Sequence, residues 1–445
     1  MRIVIAGGGE VGTFLAELLS KEKKDIVVID TDEDKLQYIN TNFDVLTVNG
    51  SATSIKVLEE AKVKGAYIFI AATHFEHVNI VAASLAKKIG ARRTIARVDN
   101  LEYITPKNKR HFKNLGIDTL INPDKLAVDE IVGLIKQGTS DEVFEFSKGD
   151  LSLFVTRLNE KSIVVGKELV EASKIYDDFE YRAMLIVRDD KTFIPRPNDV
   201  FQVNDFVYAV SSRKGLERLM KISGLEKVKI EDVMIFGGSK IGALTAQKLE
   251  HHFNVKLVEK DKHRCLELSD LLEKTLIFNA DARDIQALKQ ENIEKMDVFI
   301  SLTDSSETNI FASILAKRLG VPRTITEVEN IDFIEISKDL KIEEIINKKL
   351  IAASLTTRYL IDADILSIKM LNTADADIIE VIARQDAKIT KKSLAELKLP
   401  DGIIIGGVIR NNESFIARGT THIQPGDICV VLVMPEALHI IEEYF

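Results

Sequence analysis

The hydrophobic positions of this chain follow two alternating periods. Short continuous apolar runs, for example at residues 3–5, 26–29 and 66–72, have the length of buried strands. Between them, apolar residues recur at the spacing of one helical face, as in TFLAELLS at 13–20. The alternation continues to about residue 136, and it predicts an α/β fold with a doubly wound parallel sheet.

The pattern changes between Val143 and Tyr208. Short alternating segments predict strands there, with one helical segment near Leu169. We expect a small α+β domain, followed by a charged helical stretch from Arg213 to Glu231 that acts as a connector.

The chain then repeats this arrangement. The segment IVIAGGGEVG at 3–12 matches VMIFGGSKIG at 233–242, and VNGSAT at 48–53 matches FNADAR at 278–283 in the same register. The small domain recurs as well, since TFIPRPNDVFQVNDFVYAV is answered by SFIARGTTHIQPGDICVVL. A duplicated two-part module predicts four domains, with a doubly wound α/β domain preceding each small α+β domain. We place them at 1–138, 139–222, 231–362 and 363–445.

Three glycines stand between the first predicted strand and the first predicted helix. Their G-x-G-x-x-G spacing is the fingerprint of a Rossmann-type dinucleotide-binding fold: the first allows a tight turn, the second lets the backbone approach a pyrophosphate, and the third permits close helix packing. Phosphate charge is then stabilised by free N–H groups at the helix N-terminus. The alternative is a glycine-rich turn that binds nothing. The candidate site residues in this loop are Gly7, Gly8, Gly9, Glu10, Val11 and Gly12.

Asp30 is the candidate ribose ligand. It ends the second apolar run, about 20 residues after the glycines, where an acidic side chain accepts hydrogen bonds from ribose hydroxyls. We therefore predict binding of an adenine nucleotide. NAD, NADH, ATP and ADP all carry the adenosine that Asp30 would hold, so the choice among them stays open.

The composition excludes several function classes. Lys and Arg number 60 against 69 Asp and Glu, for a net charge of −9, which argues against nucleic acid or anionic lipid as the main partner. The two cysteines, Cys265 and Cys429, lie far apart, so neither a disulfide framework nor a zinc site is indicated. Met1 leads straight into a strand and the apolar runs are far below spanning length. We expect a soluble protein that can dock on a membrane protein.

Over essentially its whole length the sequence resembles the TrkA family, the cytosolic regulatory subunits of Trk-type potassium uptake systems. Members of this family are built from tandem RCK (KTN) and RCK C-terminal domains. The motifs that carry the resemblance are GGGEVG at 7–12, Asp30, the GSAT turn at 50–53, Thr73 with Asn79, and Arg97 in IARVDN.

The resemblance implies a regulatory function without catalytic residues. The protein would bind NAD(H), or ATP or ADP, and would gate an integral membrane potassium-translocating subunit at the inner face of the cell membrane. It would do so as a homo-oligomer, a tetrameric ring. Arg97 and Thr73 would contact the nucleotide phosphate or the nearby ribose. Together with these two residues, the resemblance implies nucleotide contacts by Ser51, Ala52, His74 and Asn79.

The second copy departs from the first in its phosphate-binding features. Ser239 replaces the middle glycine, and Glu327 stands where Arg97 stands in the first copy, so we expect weaker pyrophosphate affinity there. Glu259 still offers a ribose-binding carboxylate. The candidate residues of this second site are Gly237, Ser239, Lys240, Ile241, Gly242, Glu259, Asp281, Ala282 and Thr303.

An NAD-dependent oxidoreductase is the main alternative function. Such an enzyme needs an acid/base group, and Tyr103 and Lys107 have a spacing used in reductases. Pro106 between them disfavours a shared helical face. The discriminating observation is whether any substrate consumes bound NADH.

Two clusters of charged or titratable residues give less specific predictions of function. His74, Glu76 and His77 could hold a metal only with further ligands, and we expect polar residues beside a nucleotide instead. The run KNKRHFK at 107–113 is expected to be a solvated helix face, with a phosphate or partner contact as the alternative.

Overall fold

The structure is a computed structural model. It describes residues 1–20, 24–137, 143–146, 151–175, 181–189, 191–223, 230–281, 284–340, 342, 344–359, 365–371, 374 and 376–445.

The first half of the chain begins with alternating strands and helices. These are β1 (Arg2–Ala6), α1 (Glu10–Ser20), β2 (Asp25–Asp30), α2 (Glu33–Asn42), β3 (Leu46–Asn49), α3 (Ile55–Glu60), β4 (Ile68–Ala71), α4 (Glu76–Ile89), β5 (Arg93–Arg97), α5 (Pro106–Asn114), β6 (Thr119–Ile121) and α6 (Pro123–Gln137). The elements that follow are β7 (Val143–Glu145), β8 (Leu151–Arg157), α7 (Leu169–Ala172), β9 (Tyr181–Arg188), β10 (Lys191–Phe193), β11 (Phe206–Ser212) and α8 (Arg213–Ile222).

The second half repeats this order. Its first part contains β12 (Asp232–Phe236), α9 (Lys240–Leu249), β13 (Asn254–Glu259), α10 (Lys262–Leu271), β14 (Leu276–Asn279), α11 (Ile285–Gln290), β15 (Val298–Ser301), α12 (Ser306–Arg318), β16 (Arg323–Glu327), α13 (Asp332–Asp339), β17 (Glu344–Ile346) and α14 (Lys348–Arg358). Its second part contains β18 (Ile365–Met370), β19 (Asp377–Ile382), α15 (Leu394–Leu397), β20 (Ile403–Arg410), β21 (Glu413–Ile416), β22 (Ile428–Val433) and α16 (Ile441–Tyr444).

The sheet topology confirms the predicted fold class. The two parallel sheets have the orders β3-β2-β1-β4-β5-β6 and β14-β13-β12-β15-β16-β17. Each is followed in the chain by an antiparallel sheet, with the orders β10-β9-β11-β8-β7 and β18-β19-β22-β20-β21. In both parallel sheets the strand order reverses beside the first strand, and this reversal opens a crevice at the carboxyl ends of the strands, where ligands bind.

Burial explains why the parallel strands read as continuous apolar runs. In β1, Ile3 and Ile5 face one hydrophobic cluster and Val4 faces another, and all three side chains are fully buried. A parallel sheet covered on both faces needs apolar residues on both.

The first of two compact units consists of Met1–Asp129 together with Asn347–Leu360. Helix α14 therefore belongs to this unit, although the sequence places it next to the second parallel sheet. Ala352 and Ala353 of α14 are buried in the same cluster as Leu15 of α1. The predicted boundaries of the four domains stay a prediction.

The second unit consists of Glu130–Ile346 and Ile361–Phe445, and in it the two antiparallel sheets share one core. Leu153 and Met184 of the first such sheet lie in one cluster with Ile378 and Val430 of the second. Arg182 joins the sheets as well, since its Nη1 donates to the carbonyls of Ile405 and Ala417 at 3.1 and 2.8 Å. Burial lowers the pKa of this guanidinium from its usual value.

Helix α8 corrects one expectation from the sequence. The stretch from Arg213 was expected to be a connector, but Leu219, Met220 and Ile222 are buried in a cluster with Phe154. The helix is strongly charged on its outer face, and this charge concealed its apolar side. Across the described parts of the chain, no helix is long and apolar enough to span a bilayer.

Each small domain contains the same bidentate ion pair. Arg188 binds Asp205 through Nε and Nη2, both at 2.7 Å, and Arg410 binds Asp427 at 2.8 and 2.7 Å. The carboxylates are buried, and each pair also ties a loop, because Nη2 donates to the carbonyl of Val200 in one domain and of the corresponding loop residue in the other. Hydrogen bonds to these carboxylates raise the pKa of both arginines.

We expect Asp205→Ala to lower the free energy of unfolding by about 3 kcal/mol, because it leaves a partly buried guanidinium without its carboxylate. The amide of Gln202, which donates to Asp205 at 2.8 Å, also loses its acceptor. Lys388→Ala is the matched control, since the pair of Lys388 with Glu443 is exposed. Urea denaturation should show a clear shift of the midpoint for Asp205→Ala only, and equal shifts would contradict this account.

Candidate nucleotide-binding site

The glycine loop packs directly against the helix that it precedes. Gly7 has φ +112°, a conformation that favours glycine, and its amide donates to the carbonyl of Ile29 at 2.8 Å. A Cβ at Gly7 would lie 2.9 Å from the backbone of Ala72, and a Cβ at Gly12 would overlap the Gly7 carbonyl oxygen. A Cβ at Gly9 would meet only His74 Nε2, at 3.4 Å. Gly7 and Gly12 are thus required by the fold, whereas the space beside Gly9 is available to a ligand.

Asp30 is held in place at the end of β2. Its Oδ2 accepts from the amide of Gly8 at 2.6 Å, and its Oδ1 accepts from the amide of Asp32 at 2.9 Å. The carboxylate is half-buried and faces the crevice beside the loop. Its position is therefore fixed before any ligand arrives, which lowers the entropic cost of binding.

The crevice beside the loop has a volume of about 320 Å³. This is within the size range of small-molecule sites. Its lining includes seven predicted site residues, which are Gly7, Gly9, Asp30, Ser51, Ala52, Thr73 and His74. The other predicted residues of the first site lie outside this lining, and they are Gly8, Glu10, Val11, Gly12, Asn79 and Arg97.

Asn79 supports the site from behind. Its side chain is fully buried, and Oδ1 accepts from the Thr73 amide at 2.8 Å and the Thr73 hydroxyl at 2.7 Å. Its Nδ2 donates to the carbonyls of Thr73 and Arg97, both at 3.0 Å. Asn79 therefore joins the ends of β4 and β5 and orients Thr73 toward the crevice.

Arg97 lies in a narrow neighbouring crevice. That crevice is lined by Val11 of α1 and by Ala352 and Thr356 of α14, and it shares Ala72 with the nucleotide crevice. The Arg97 Nη2 is 3.4 Å from Asp99 Oδ1, and within the described residues its buried Nε has no hydrogen-bond acceptor. Its guanidinium is therefore close to the first turn of α1 with a donor still to be satisfied.

Glu10 in this first turn forms an ion pair with α14. Lys349 Nζ lies 2.5 Å from Glu10 Oε2, and the lysine side chain is 11% exposed. Glu10 suits the positive end of the α1 dipole, and Lys349 at the start of α14 is unfavourable for its own helix without such a partner. The pair places a cation from the second repeat beside the predicted phosphate site of the first.

Several lining residues were missed at the sequence level. Phe75 precedes α4 and is 62% exposed at the crevice. Lys35 also lines the crevice, and its Nζ lies 3.2 Å from Asp32 Oδ2. The amide and the ammonium group of Lys35 lower the pKa of Asp32. The sequence signal for Phe75 is its position, because an aromatic residue stands there between the end of a strand and the start of the next helix. The remaining missed lining residues are Ile29, Thr31, Gly50, Ala72 and Val78.

The second copy repeats the carboxylate geometry. Glu259 accepts from the amide of Gly238 at 2.7 Å and from that of Asp261 at 2.8 Å. Its crevice has a volume of about 290 Å³ and contains the predicted residues Gly237, Ser239, Glu259, Asp281 and Thr303. Lys240, Ile241 and Gly242 lie outside the lining, and Ala282 is outside the described residues.

The two crevices differ in charge. The first contains Asp30 and Lys35, whereas the second contains Glu259, Asp281, Asp304 and Lys260. The additional carboxylates repel phosphate groups.

Two further differences lie near the second crevice. The hydroxyl of Ser239 accepts from the Gly242 amide at 3.2 Å, so it caps α9 at the position of the middle glycine. Glu327, the counterpart of Arg97, is 3% exposed and lies outside the lining. The expected chemical difference between the two copies therefore lies mainly in the residues that line the two crevices.

The geometry of the described residues favours neither the reductase pair nor the metal site considered from the sequence. Helix α5 begins at Pro106, so Tyr103 lies before the helix that contains Lys107, and its ring contacts Phe112 at 4.8 Å. Glu76 accepts from the amides of Asp99 and Asn100, both at 3.0 Å. Among the described residues, no group of three or more His, Cys, Asp or Glu side chains is placed to hold a metal ion.

Family models match this chain in two tandem copies. The TrkA-N domain model matches residues 3–123 and 233–348, and the TrkA-C domain model matches residues 153–224 and 378–445. The Trk system potassium uptake protein TrkA of Haemophilus influenzae is 33% identical over 97% of this chain and 95% of its own length. The TrkA homolog of Archaeoglobus fulgidus is 33% identical over 100% of both chains.

Solved structures with a similar fold include the GsuK channel bound to NAD. It has a TM-score of 0.61 at 16% sequence identity and covers 98% of this chain and 77% of that one. The crystal structure of GsuK bound to ADP has a TM-score of 0.50 at 14% identity, covering 81% of this chain and 69% of that one.

We expect Gly12→Ala to destabilise the first unit strongly and Gly9→Ala to leave its stability nearly unchanged. The reason is that a methyl group at position 12 overlaps a backbone oxygen, whereas at position 9 it only touches a flexible imidazole. Thermal unfolding of the two variants measures the difference. A normal melting temperature for Gly12→Ala would refute the packing role of this glycine.

Proposed function

The chain belongs to the TrkA family, and from this premise we propose that it is a nucleotide-sensing regulatory subunit that gates a membrane potassium transporter. The observation that carries the proposal is the crevice beside the glycine loop, where Asp30 is held by two backbone amides and faces open space next to Gly9. The relatives named above are potassium uptake proteins, which supports the transport role.

The proposed ligand is NAD(H), with ATP and ADP as alternatives. Asp30 would accept hydrogen bonds from the ribose hydroxyls, and the N-terminus of α1 would stabilise the phosphates. The exposed ring of Phe75 offers an apolar surface for the adenine. The NAD and ADP complexes of GsuK support this ligand class.

Arg97 is proposed as a phosphate contact that is engaged only when ligand is bound. Its buried Nε lacks an acceptor within the described residues, and such a donor is costly unless a ligand satisfies it. A phosphate at the first turn of α1, near Val11, would supply the acceptor. The first copy should then dominate phosphate recognition, because the second has Glu327 at this position and a more acidic lining.

Regulation needs a ligand that distinguishes two conformations. A ligand shifts an equilibrium only by its difference in affinity for the two states, so occupancy alone would not gate transport. Nucleotides that differ in charge would interact differently with Arg97 and with the pair of Glu10 and Lys349. We propose that this difference is passed to an integral membrane potassium-translocating subunit by a homo-oligomeric ring at the inner face of the membrane.

Hydride transfer is the competing function. The Rossmann-type fold is compatible with it, but Tyr103 and Lys107 do not share a helix, so they do not form the acid/base pair that a reductase would need. The proposed regulatory function needs no acid/base group. Turnover of bound NADH with any substrate would favour the enzyme instead.

We expect Asp30→Ala to weaken nucleotide binding about 10- to 150-fold, which corresponds to the loss of roughly 1.5–3 kcal/mol from hydrogen bonds to a charged group. Isothermal titration calorimetry with NAD⁺, NADH, ATP and ADP measures the change and ranks the ligands. Glu259→Ala is the matched control in the second copy and should have a smaller effect. Thermal unfolding must confirm that the loop stays folded, since Asp30 also holds Gly8. Unchanged affinity would exclude Asp30 as the ribose ligand.

We expect Arg97→Ala to abolish most of the nucleotide response of potassium flux, because it removes a cation that lines the crevice with Val11 and whose Nε has no acceptor among the described residues. Glu327→Ala should retain the response. The measurement is nucleotide-dependent flux through vesicles that contain the reconstituted transporter. If both variants respond alike, or if Glu327→Ala alone loses regulation, the first copy is not the principal sensor.

A further inference from the structure

A further cavity in the first unit lies beside β6, the edge strand of the parallel sheet. Its volume is about 480 Å³, which is within the range of small-molecule sites. Its lining residues come from α5, β6, α6 and α14 and from the loops next to them, and none of them lines the nucleotide crevice. The cavity is thus a separate space with its own chemistry.

The cavity is cationic. Lys109, Arg110 and Lys113 of α5 line it and are exposed, and none of their three side chains has a hydrogen bond or an ion pair to the residues that the structure describes. Asp118, the carboxylate in the lining, is already engaged, because its Oδ2 lies 2.8 Å from Lys87 Nζ and 2.9 Å from the Thr94 amide. The positive charge is therefore not neutralised locally.

This concentration of charge works against the helix that carries it. Lys109 and Lys113 are four residues apart on one face, where like charges destabilise a helix by a few tenths of a kcal/mol. Helix α5 has the sequence PKNKRHFKN, without any acidic residue, in a chain whose net charge is −9. The C-terminal dipole of the helix favours Lys113 but not Lys109 or Arg110. An anion in the cavity would remove the repulsion.

Apolar and aromatic side chains form another part of the lining, together with Thr119, Asn122 and Lys125. Leu120 lies on β6, Leu355 lies on α14, and Tyr359 directly follows the last residue of α14. The end of α14 is fixed by Arg93, whose Nη1 donates to the Tyr359 carbonyl at 3.0 Å. A ligand in this cavity would meet cations on one side and an aromatic and aliphatic surface on the other.

We propose that this cavity binds a phosphorylated small molecule. The phosphate is held by Lys109, Arg110 and Lys113, since Arg and Lys form charge-assisted hydrogen bonds to phosphate oxygens. The aromatic or aliphatic part of the ligand packs on Leu120, Leu355 and Tyr359. Because Leu355 belongs to α14 and Tyr359 directly follows it, occupancy stabilises the packing of this helix on the first unit. The site is independent of the nucleotide crevice.

The test uses the full-length protein with 4-nitrophenyl phosphate, a small probe that combines a phosphate with an aromatic ring. Calorimetric titration is done with saturating NAD⁺, and again in Asp30→Ala, so that the result does not depend on the nucleotide site. The variant replaces Lys109, Arg110 and Lys113 by Gln. The matched control replaces three exposed lysines outside the cavity, Lys56, Lys88 and Lys107, by Gln.

We expect at least a tenfold loss of probe affinity in the cavity variant, and unchanged affinity in the matched control and in Asp30→Ala. Leu355→Ala should weaken 4-nitrophenyl phosphate but not inorganic pyrophosphate. Equal binding by the two triple variants, or no binding by the unmodified protein, would overturn the proposal. Sedimentation with phosphatidylglycerol vesicles is the remaining arm. Vesicle binding that depends on the three cations, without probe binding, would assign the surface to a lipid headgroup and overturn the proposal as well.

Discussion

The first helix of each parallel-sheet domain lies so close to the preceding loop that only hydrogen fits between them. A Cβ at Gly12 would overlap the carbonyl oxygen of Gly7, and a Cβ at Gly242 would overlap that of Gly237. This contact fixes the start of the helix against the carboxyl ends of the central strands. The residues that directly precede the first helices, Gly9 and Ser239, therefore line the crevices that Asp30 and Glu259 border. The remaining features of both sites depend on this arrangement.

Buried amides complete the arrangement in both copies. Asn79 and Asn309 make the same four hydrogen bonds, to the threonine after one strand and to the carbonyl at the end of the next. The support beneath the two sites is thus the same, and the lining above it differs. Divergence of the lining on a shared support allows one repeat to change the charge of its crevice without loss of the fold.

Local sequence was sufficient for the fold class and for seven of the residues that line the crevice beside the glycine loop. The glycine spacing, Asp30 and the repeat are short-range signals, and each has a direct backbone or charge reason. The position of α14 was not predictable in this way, because Ala352 and Ala353 are compatible with any apolar surface. Arg97 and Val11 were expected to line the nucleotide crevice, yet they line its neighbour, since small rotations at a strand end decide the direction of a side chain. The buried side of α8 was hidden by its charges.

The location of α14 has a consequence for how the protein is made. The first unit needs a helix that begins at residue 348, so residues 130–346 must be synthesised before that unit can be completed. At roughly 5–20 residues per second this takes on the order of 10–40 s. During this time the apolar surface of α1 that α14 will cover is exposed to solvent and to other nascent chains. Because the last helix of this unit comes from the other repeat, we expect a slow final step in refolding, or a chaperone that shields this surface during synthesis.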